Sequence, residues 1–244
     1  MGSAPLNSNI PHIGGSLGES LPPPTGPGLL GALSTAWVFD RLWMRYDSWY
    51  ERNRVLALNE LRAVEALGLR GRGVEVGVGT GWFASRLGVE YGVDPSAQML
   101  AVAKRRGVEA VQGVGERLPL RSSSLDYSLL IVTLCFVDNP LAVLEESARV
   151  VKPGGSVAAC IVPRDSSWGR FYLERRRESP FYRVARFYTV DEVEEMMHRA
   201  GLQPRLYVST LHREPWQEPQ QEQPSLGDKS GGFVCIKAVK PEAG

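Results

Sequence analysis

The chain has 244 residues, 43% of them hydrophobic and 23% charged, with a formal net charge of +1. That is the composition of an ordinary globular chain, long enough to bury one large core. The near-neutral balance excludes a global field that would select nucleic acid or an acidic surface.

Residues 1–35 are rich in Gly, Pro and Ser, and Glu19 is their only charged side chain. Few of them can pack, so ordering entropy predicts a mobile, disordered tail. Leu21-Pro22-Pro23-Pro24 within it reads as linker before it reads as a polyproline ligand. No Lys or Arg precedes Arg41, so neither a secretory signal nor an Arg-rich transit peptide is expected. From Trp37 to Leu67 apolar residues recur at helical spacing, which predicts two helices with a break near Asn53. Gly68, Gly71 and Gly73 close them off.

Strands and helices then alternate. Strands are predicted over 74–76, 90–93, 108–112, 127–133 and 156–162, with helices over 80–87, 95–106 and 140–151 between them. Lys152-Pro153-Gly154-Gly155 is read as the stop of the third helix. Tyr127 to Thr133 is a continuous apolar run, as a strand buried on both faces requires. A helix over 190–200 and strands over 205–211 and 233–239 follow. The alternation implies a doubly wound, mostly parallel, seven-stranded α/β sheet. The last two strands have no helix between them and should form an antiparallel hairpin at the end of the sheet. Their polar connection, 212–232, is expected to be mobile.

Three cysteines, Cys135, Cys160 and Cys235, form no close pair. This argues against a CxxC zinc or redox pair and against a disulfide scaffold, and it suits a reducing cytoplasm. No run approaches the ~20 apolar residues of a membrane helix.

The strongest motif is Gly73-Val-Glu75-Val-Gly77-Val-Gly79-Thr-Gly81-Trp82-Phe83. Glycines 77, 79 and 81 follow a predicted strand and precede a helix, where absent Cβ atoms let a loop turn tightly against a ligand. A dinucleotide fingerprint needs GxGxxG. From Gly77 its third glycine falls on Trp82; from Gly79 it falls on Ala84, which weakens the exclusion without removing it. A Walker loop would need Gly-Lys-Ser/Thr, which is absent. A ligand without a bound phosphate fits better.

Glu75-x-Gly77-x-Gly79-x-Gly81 resembles the first motif of class I S-adenosylmethionine-dependent methyltransferases. Gly92-Val-Asp94-Pro95-Ser96-Ala97-Gln98-Met99-Leu100 resembles the second, and Gly113-Val-Gly115-Glu116-Arg117-Leu118-Pro119-Leu120 the third. Ser124-Leu125-Asp126-Tyr127 and Leu144 to Gly155 resemble the segments before strands four and five. Tyr46-Asp47-x-Trp49-Tyr50 resembles a helix signature of the small-molecule, type 11-like branch. Five ordered motifs over roughly residues 40–201 are far more specific than one glycine loop.

The resemblance implies a Rossmann-like core over 71–240, a helical lid over 36–70 and an insert over 163–188, together one domain from 36 to 244. It implies S-adenosylmethionine as cofactor, with Glu75, Gly77, Gly79, Gly81, Asp94, Pro95, Met99, Gly115, Glu116 and Thr133 in contact with it. Asp94 would accept both ribose hydroxyls, Met99 would pack on adenine, and carbonyls from Thr133 to Phe136 would take the ammonium. Val114 stands where the family often has an acid, so backbone around Gly115 and Glu116 would serve instead. Tyr46, Trp49, Tyr50, Cys135 and Arg170 would line the acceptor side. Aromatic faces, Trp82 included, can stabilise a sulfonium. Cys135 is read as a small lining residue rather than a nucleophile.

The reaction implied is direct displacement, which needs alignment more than a catalytic base. No base is named; His212 is the one histidine with a plausible reach. Thr133-Leu134-Cys135-Phe136 replaces the (N/D/S)PP(Y/F) motif of adenine or glutamine methylation, so a small-molecule acceptor is favoured. Seven arginines over 164–186 either select an anionic acceptor or form a solvated face. An RNA or protein methyltransferase, a nicotinamide-binding oxidoreductase and a non-catalytic cofactor-binding regulator remain the alternatives.

Overall fold

The computed structural model describes residues 35–242. The predicted tail, apart from Thr35, lies outside the described residues. Three helices open the fold, α1 (Ala36–Arg41), α2 (Trp43–Arg52) and α3 (Arg54–Glu65). The predicted break at Asn53 is present, and a second falls at Leu42, so three helices replace the expected two.

The core runs β1 (Gly73–Val76), α4 (Trp82–Leu87), β2 (Tyr91–Asp94), α5 (Ala97–Arg105), β3 (Glu109–Gln112), β4 (Leu125–Ile131), α6 (Pro140–Val150) and β5 (Val151–Ile161). Then come α7 (Ser167–Glu174), α8 (Pro180–Val184), α9 (Val190–Arg199), β6 (Gln203–Thr210), β7 (Ser225–Leu226) and β8 (Phe233–Val239). Local chemistry sets the helix starts. Ser96 accepts from the Met99 N–H, Asn139 accepts from the Ala142 N–H just before Pro140, and Thr189 and Glu192 form a reciprocal capping box.

The sheet has the order β3-β2-β1-β4-β5-β8-β6-β7. The first five strands are parallel, and β8 is antiparallel to both β5 and β6. The expected seven strands are eight, because the 212–232 segment contributes the two-residue β7 at the edge. The expected antiparallel hairpin exists towards that end of the sheet, with β8 between β5 and β6. The segment from Lys152 to Gly155 belongs to β5, not to a helix stop, with Gly154 at φ 76 in its irregular start.

Alternation along each strand splits the core into two layers. Tyr127, Leu129 and Ile131 of β4 face α3, α4, α5 and the 163–188 insert. Leu130 of β4 faces α6 and α9, with Val157, Ala159 and Ile161 of β5. Cys160 and Cys235 face each other directly in the β5–β8 register and are joined by a disulfide. The sequence separation of 75 hid this pair from spacing arguments, and the compartment expectation built on unpaired cysteines loses its support. No helix among the described residues is long and apolar enough to cross a membrane.

The 212–232 segment is also better held than its polarity suggested. Buried Asn59 of α3 donates to the Gln220 carbonyl at 2.8 Å and accepts from the Glu222 N–H at 3.0 Å. Glu222 in turn accepts from the His212 N–H at 2.9 Å. Asn59→Ala removes both of these part-buried hydrogen bonds, so unfolding in urea should show a loss of about 1–3 kcal/mol. Limited proteolysis should then cut first within 212–232.

Candidate functional site

At the carboxyl end of β1 the chain turns through Gly77, Gly79 and Gly81, all at positive φ (75°, 51° and 72°). The Gly77 and Val78 N–H groups both donate to the Val93 carbonyl of β2. A Cβ at Gly77 would lie 2.5 Å from Thr133 Cγ2, while one at Gly79 would meet only Tyr46, at 3.6 Å. The backbone of Gly79 is therefore open to a ligand, and Gly77 is the fixed corner of the turn. Gly77→Ala should lower stability by about 1–3 kcal/mol through left-handed strain and the Thr133 clash. Thermal melting of the variant checks this.

Asp94 ends β2 and crosses to this loop. Its Oδ2 accepts from the Gly79 N–H and its Oδ1 from the Ser96 N–H, both at 2.9 Å. Burial pushes its carboxyl up to about 6, against the pull of those two hydrogen bonds, and the charge of Asp40 adds to the rise. Asp40, at the end of α1, accepts from Ser96 Oγ at 2.8 Å and from the Gln98 N–H at 3.1 Å, which docks α1 on α5. Asp47 of α2 holds Arg106 through two contacts of 2.7 and 2.9 Å, and Arg106 also donates to the Thr80 carbonyl of the glycine loop.

Beside these contacts a solvent-open cavity of about 740 Å³ lies at the carboxyl ends of β1, β2 and β4. Of the predicted cofactor residues, Gly77, Gly79, Asp94, Pro95, Met99, Gly115, Glu116 and Thr133 line it together. Thr133 Oγ1 donates to the Val76 carbonyl at 2.9 Å and ties β4 to β1. Glu116 Oε1 accepts from the Asp138 and Asn139 N–H groups and so also holds the chain leading into α6.

Two predicted residues do not reach the cavity. Glu75 is buried beneath the loop, where it meets the Ala84 N–H; burial drives its carboxyl well above the usual range, and its Oε2 has no hydrogen-bond partner among the described residues. Gly81 caps α4, and a Cβ there would lie 3.0 Å from Ala103 of α5, so it serves close packing.

A second cavity of about 690 Å³ adjoins the first and shares Phe39, Tyr46, Ile131, Val132 and Phe136 with it. Trp49, Tyr50, Phe83, Val162, Tyr172, Phe181, Tyr182, Phe187 and Glu60 complete its lining. Tyr46, Trp49 and Tyr50, predicted on the acceptor side, are thus brought together here. Cys135 and Arg170 are not. The Cys135 thiol is buried, contacts the Val132 carbonyl, and has its pKa raised by burial; it lines neither cavity. Arg170 is exposed. None of the seven insert arginines lines either cavity, so the solvated-face reading stands over the anionic-acceptor reading. Arg164 instead pairs with Glu192, and Arg175 with Glu178. Trp82 stacks on Tyr50 at 4.5 Å beneath Arg86 and lines neither cavity. His212 lies against Ser209 and Asp228, also away from both.

Phe39, Val132 and Glu60 line these cavities without having been expected there, and Phe136, expected only for its backbone carbonyl, lines both. Phe39 and Phe136 sit edge to face at 4.8 Å. Val132 has φ 51, a strained value for a β-branched residue, and no local pattern announces it. Glu60 falls inside the apolar spacing of α3, where it looks like a surface acid. Among the described residues, no cluster of His, Cys, Asp or Glu could hold a metal ion.

Residues 74–159 match a family described as a methyltransferase domain. The chain is 36% identical over 203 residues to an uncharacterized protein, MJ1123, of Methanocaldococcus jannaschii, covering 83% of this chain and 98% of that one. It is 39% identical to a solved Thermotoga maritima structure, TM-score 0.81, covering 84% of this chain and 99% of the other; that protein is described as an S-adenosylmethionine-dependent methyltransferase and possible histamine N-methyltransferase. It is 27% identical over 229 residues to a Mycobacterium demethylmenaquinone methyltransferase, covering 84% of this chain and 94% of that one.

Proposed function

Because this chain belongs to the class I S-adenosylmethionine-dependent methyltransferases, we propose that it moves a methyl group from S-adenosylmethionine to a small molecule held in the second cavity. The observation that carries this reading is the junction of the two cavities across Tyr46 and Phe136. One holds the loop and carboxylate suited to a nucleoside; the other is apolar and suited to an acceptor.

The residues fit the cofactor. Each Asp94 oxygen accepts one backbone N–H and keeps lone-pair capacity for a ribose hydroxyl. Met99, buried in the first cavity, supplies a polarizable surface for adenine. Gly79 leaves its backbone bare for close approach. Bound S-adenosylmethionine supplies an electrophilic methyl on a cationic sulfur. The chain's own part is to aim an acceptor atom at it and to exclude water. Phe39, Tyr46 and Phe136 present aromatic faces at the junction, where a cation is favoured by about 0.5–2 kcal/mol per ring.

Helices α1–α3 act as the lid. Asp40 fastens it to α5 and Asp47 to Arg106 just beyond α5, and its aromatic residues line both cavities. The insert carrying α7 and α8 covers the acceptor side with Tyr172, Phe181 and Tyr182. Isothermal titration with S-adenosylmethionine, S-adenosylhomocysteine and NAD tests the reading. Micromolar binding of the first two and none of NAD is expected; preferential NAD binding overturns it.

A further inference from the structure

The second cavity is walled by aromatic rings from α1, α2, α4, α7 and α8, yet it contains one carboxylate. Glu60 is 8% exposed, lines the cavity, and has no hydrogen-bond partner among the described residues. A buried carboxyl without a hydrogen-bond partner is costly, and it ionises once a cation lies beside it, so such a group is retained where something in the cavity satisfies it. The tyrosines around it do not: Tyr50 Oη donates to Tyr46 Oη at 2.9 Å instead. No Arg or Lys lines the cavity. The missing partner is a donor, preferably cationic, on an apolar body that fits among rings.

We propose that the acceptor is an organic amine, its apolar body seated among Tyr50, Tyr172, Phe181 and Phe187 and its nitrogen on the Glu60 carboxylate. This rests on the methyl-transfer reading above and names the acceptor class for it. Aromatic faces and a single carboxylate are together the surroundings that favour an ammonium over a neutral or anionic group.

The same carboxylate solves a chemical difficulty. An ammonium nitrogen has no lone pair, and it would sit beside a cationic sulfur. Glu60 takes one proton from the ammonium, leaving a neutral amine. The nitrogen lone pair then forms the N–C bond to the methyl while the C–S bond breaks and its electron pair stays on sulfur. The products are a methylated ammonium and a neutral thioether. Glu60 releases its proton to solvent when the cavity opens. Burial pushes Glu60 up to about 8, closer to an amine than an ordinary carboxylate is, which suits proton transfer between them. The titratable groups facing Glu60 are Tyr46 and Tyr50 from α2, Tyr172 from α7 and Tyr182 from α8. Strand β4, helix α4 and the residue after β5 bring only Ile131, Phe83 and Val162.

The test uses the full chain saturated with S-adenosylhomocysteine and three probes of one skeleton: phenethylamine, 2-phenylethanol and 3-phenylpropanoate. Titration calorimetry should show the amine bound at least tenfold tighter than the alcohol, and the carboxylate weakest. Amine affinity should rise between pH 6 and 8 as Glu60 ionises. Glu60→Gln should bring amine and alcohol to parity and flatten that pH dependence. Its S-adenosylhomocysteine affinity, measured in the same samples, reports that it is folded. The inference is overturned if the alcohol or the carboxylate matches the amine, if no amine binds, or if Glu60→Gln keeps the preference. Failure of the wild-type chain to bind S-adenosylhomocysteine overturns instead the methyl-transfer reading, and the inference with it.

Discussion

Asp94→Ala is expected to weaken S-adenosylhomocysteine binding by about a hundredfold or more, through lost hydrogen bonds to a charged group worth about 1.5–3 kcal/mol each. The carboxylate does two things at once. It holds the Gly79 and Ser96 N–H groups, each at 2.9 Å, and so fixes the loop against β2 and the start of α5. Asp94 also lines the cavity, and in the proposed reading its remaining lone pairs accept from the ribose hydroxyls. Alanine removes both. Asp94→Asn turns one acceptor into a donor while keeping the shape, so a loss of about tenfold is expected. Arg170→Ala, on the exposed face of the insert, should leave affinity unchanged. Isothermal titration of the three variants separates these outcomes, and an Asp94→Ala chain that binds like wild type removes Asp94 from the site.

Folding stability should fall as pH rises from about 4.5 to 8. Glu60 is raised by burial from 4.5 to about 8, and Asp94 from 3.8 to about 6. Below the unfolded values both states are protonated and the groups cost nothing. Above them the unfolded chain ionises while the folded chain keeps its protons, and stability declines until the folded value is passed. Glu60→Gln removes its share of that decline. Urea unfolding at pH 9 should find the variant more stable than wild type, on the order of a few kcal/mol. At pH 4.5 and below the difference should shrink towards zero. A difference equal at both pH values would show that Glu60 is already ionised in the folded chain. The gain at pH 9 would accompany the loss of amine binding, as expected when a carboxylate is buried for function rather than stability.

Much of this architecture is legible in the residues. β8 spans the predicted 233–239, and the apolar run at 127–133 is the central strand β4, displaced by two residues. Both signals are local: unbroken burial or turn residues within a few positions. Gly77, Gly79 and Asp94 were legible for the same reason, since strand-end chemistry repeats over short spans. What was hidden depends on contacts distant in sequence. Nothing near Asn59 announces that it holds Gln220 and Glu222. The pairing of Cys160 with Cys235 follows from a strand register that spacing does not reveal. Glu60 is ordinary helix sequence until α7 and α8 fold over it. Arg170 illustrates the reverse error: a conspicuous charge cluster drew attention, but its members face solvent or nearby carbonyls and acids.

The place of β8 bears on how the chain can be made. During synthesis β5 and β6 emerge well before residues 233–239, but they have no direct pairing with each other. Until the final strand arrives, each presents an unsatisfied backbone edge, and the sheet lacks an interior member rather than a margin. Phe233 to Ile236, all fully buried, must insert between strands already in place. The nascent protein therefore passes through a stage with two sticky edges, the kind of species that invites chaperone capture or aggregation. Chains released before Phe233 should remain in that state, however complete their cofactor-binding half.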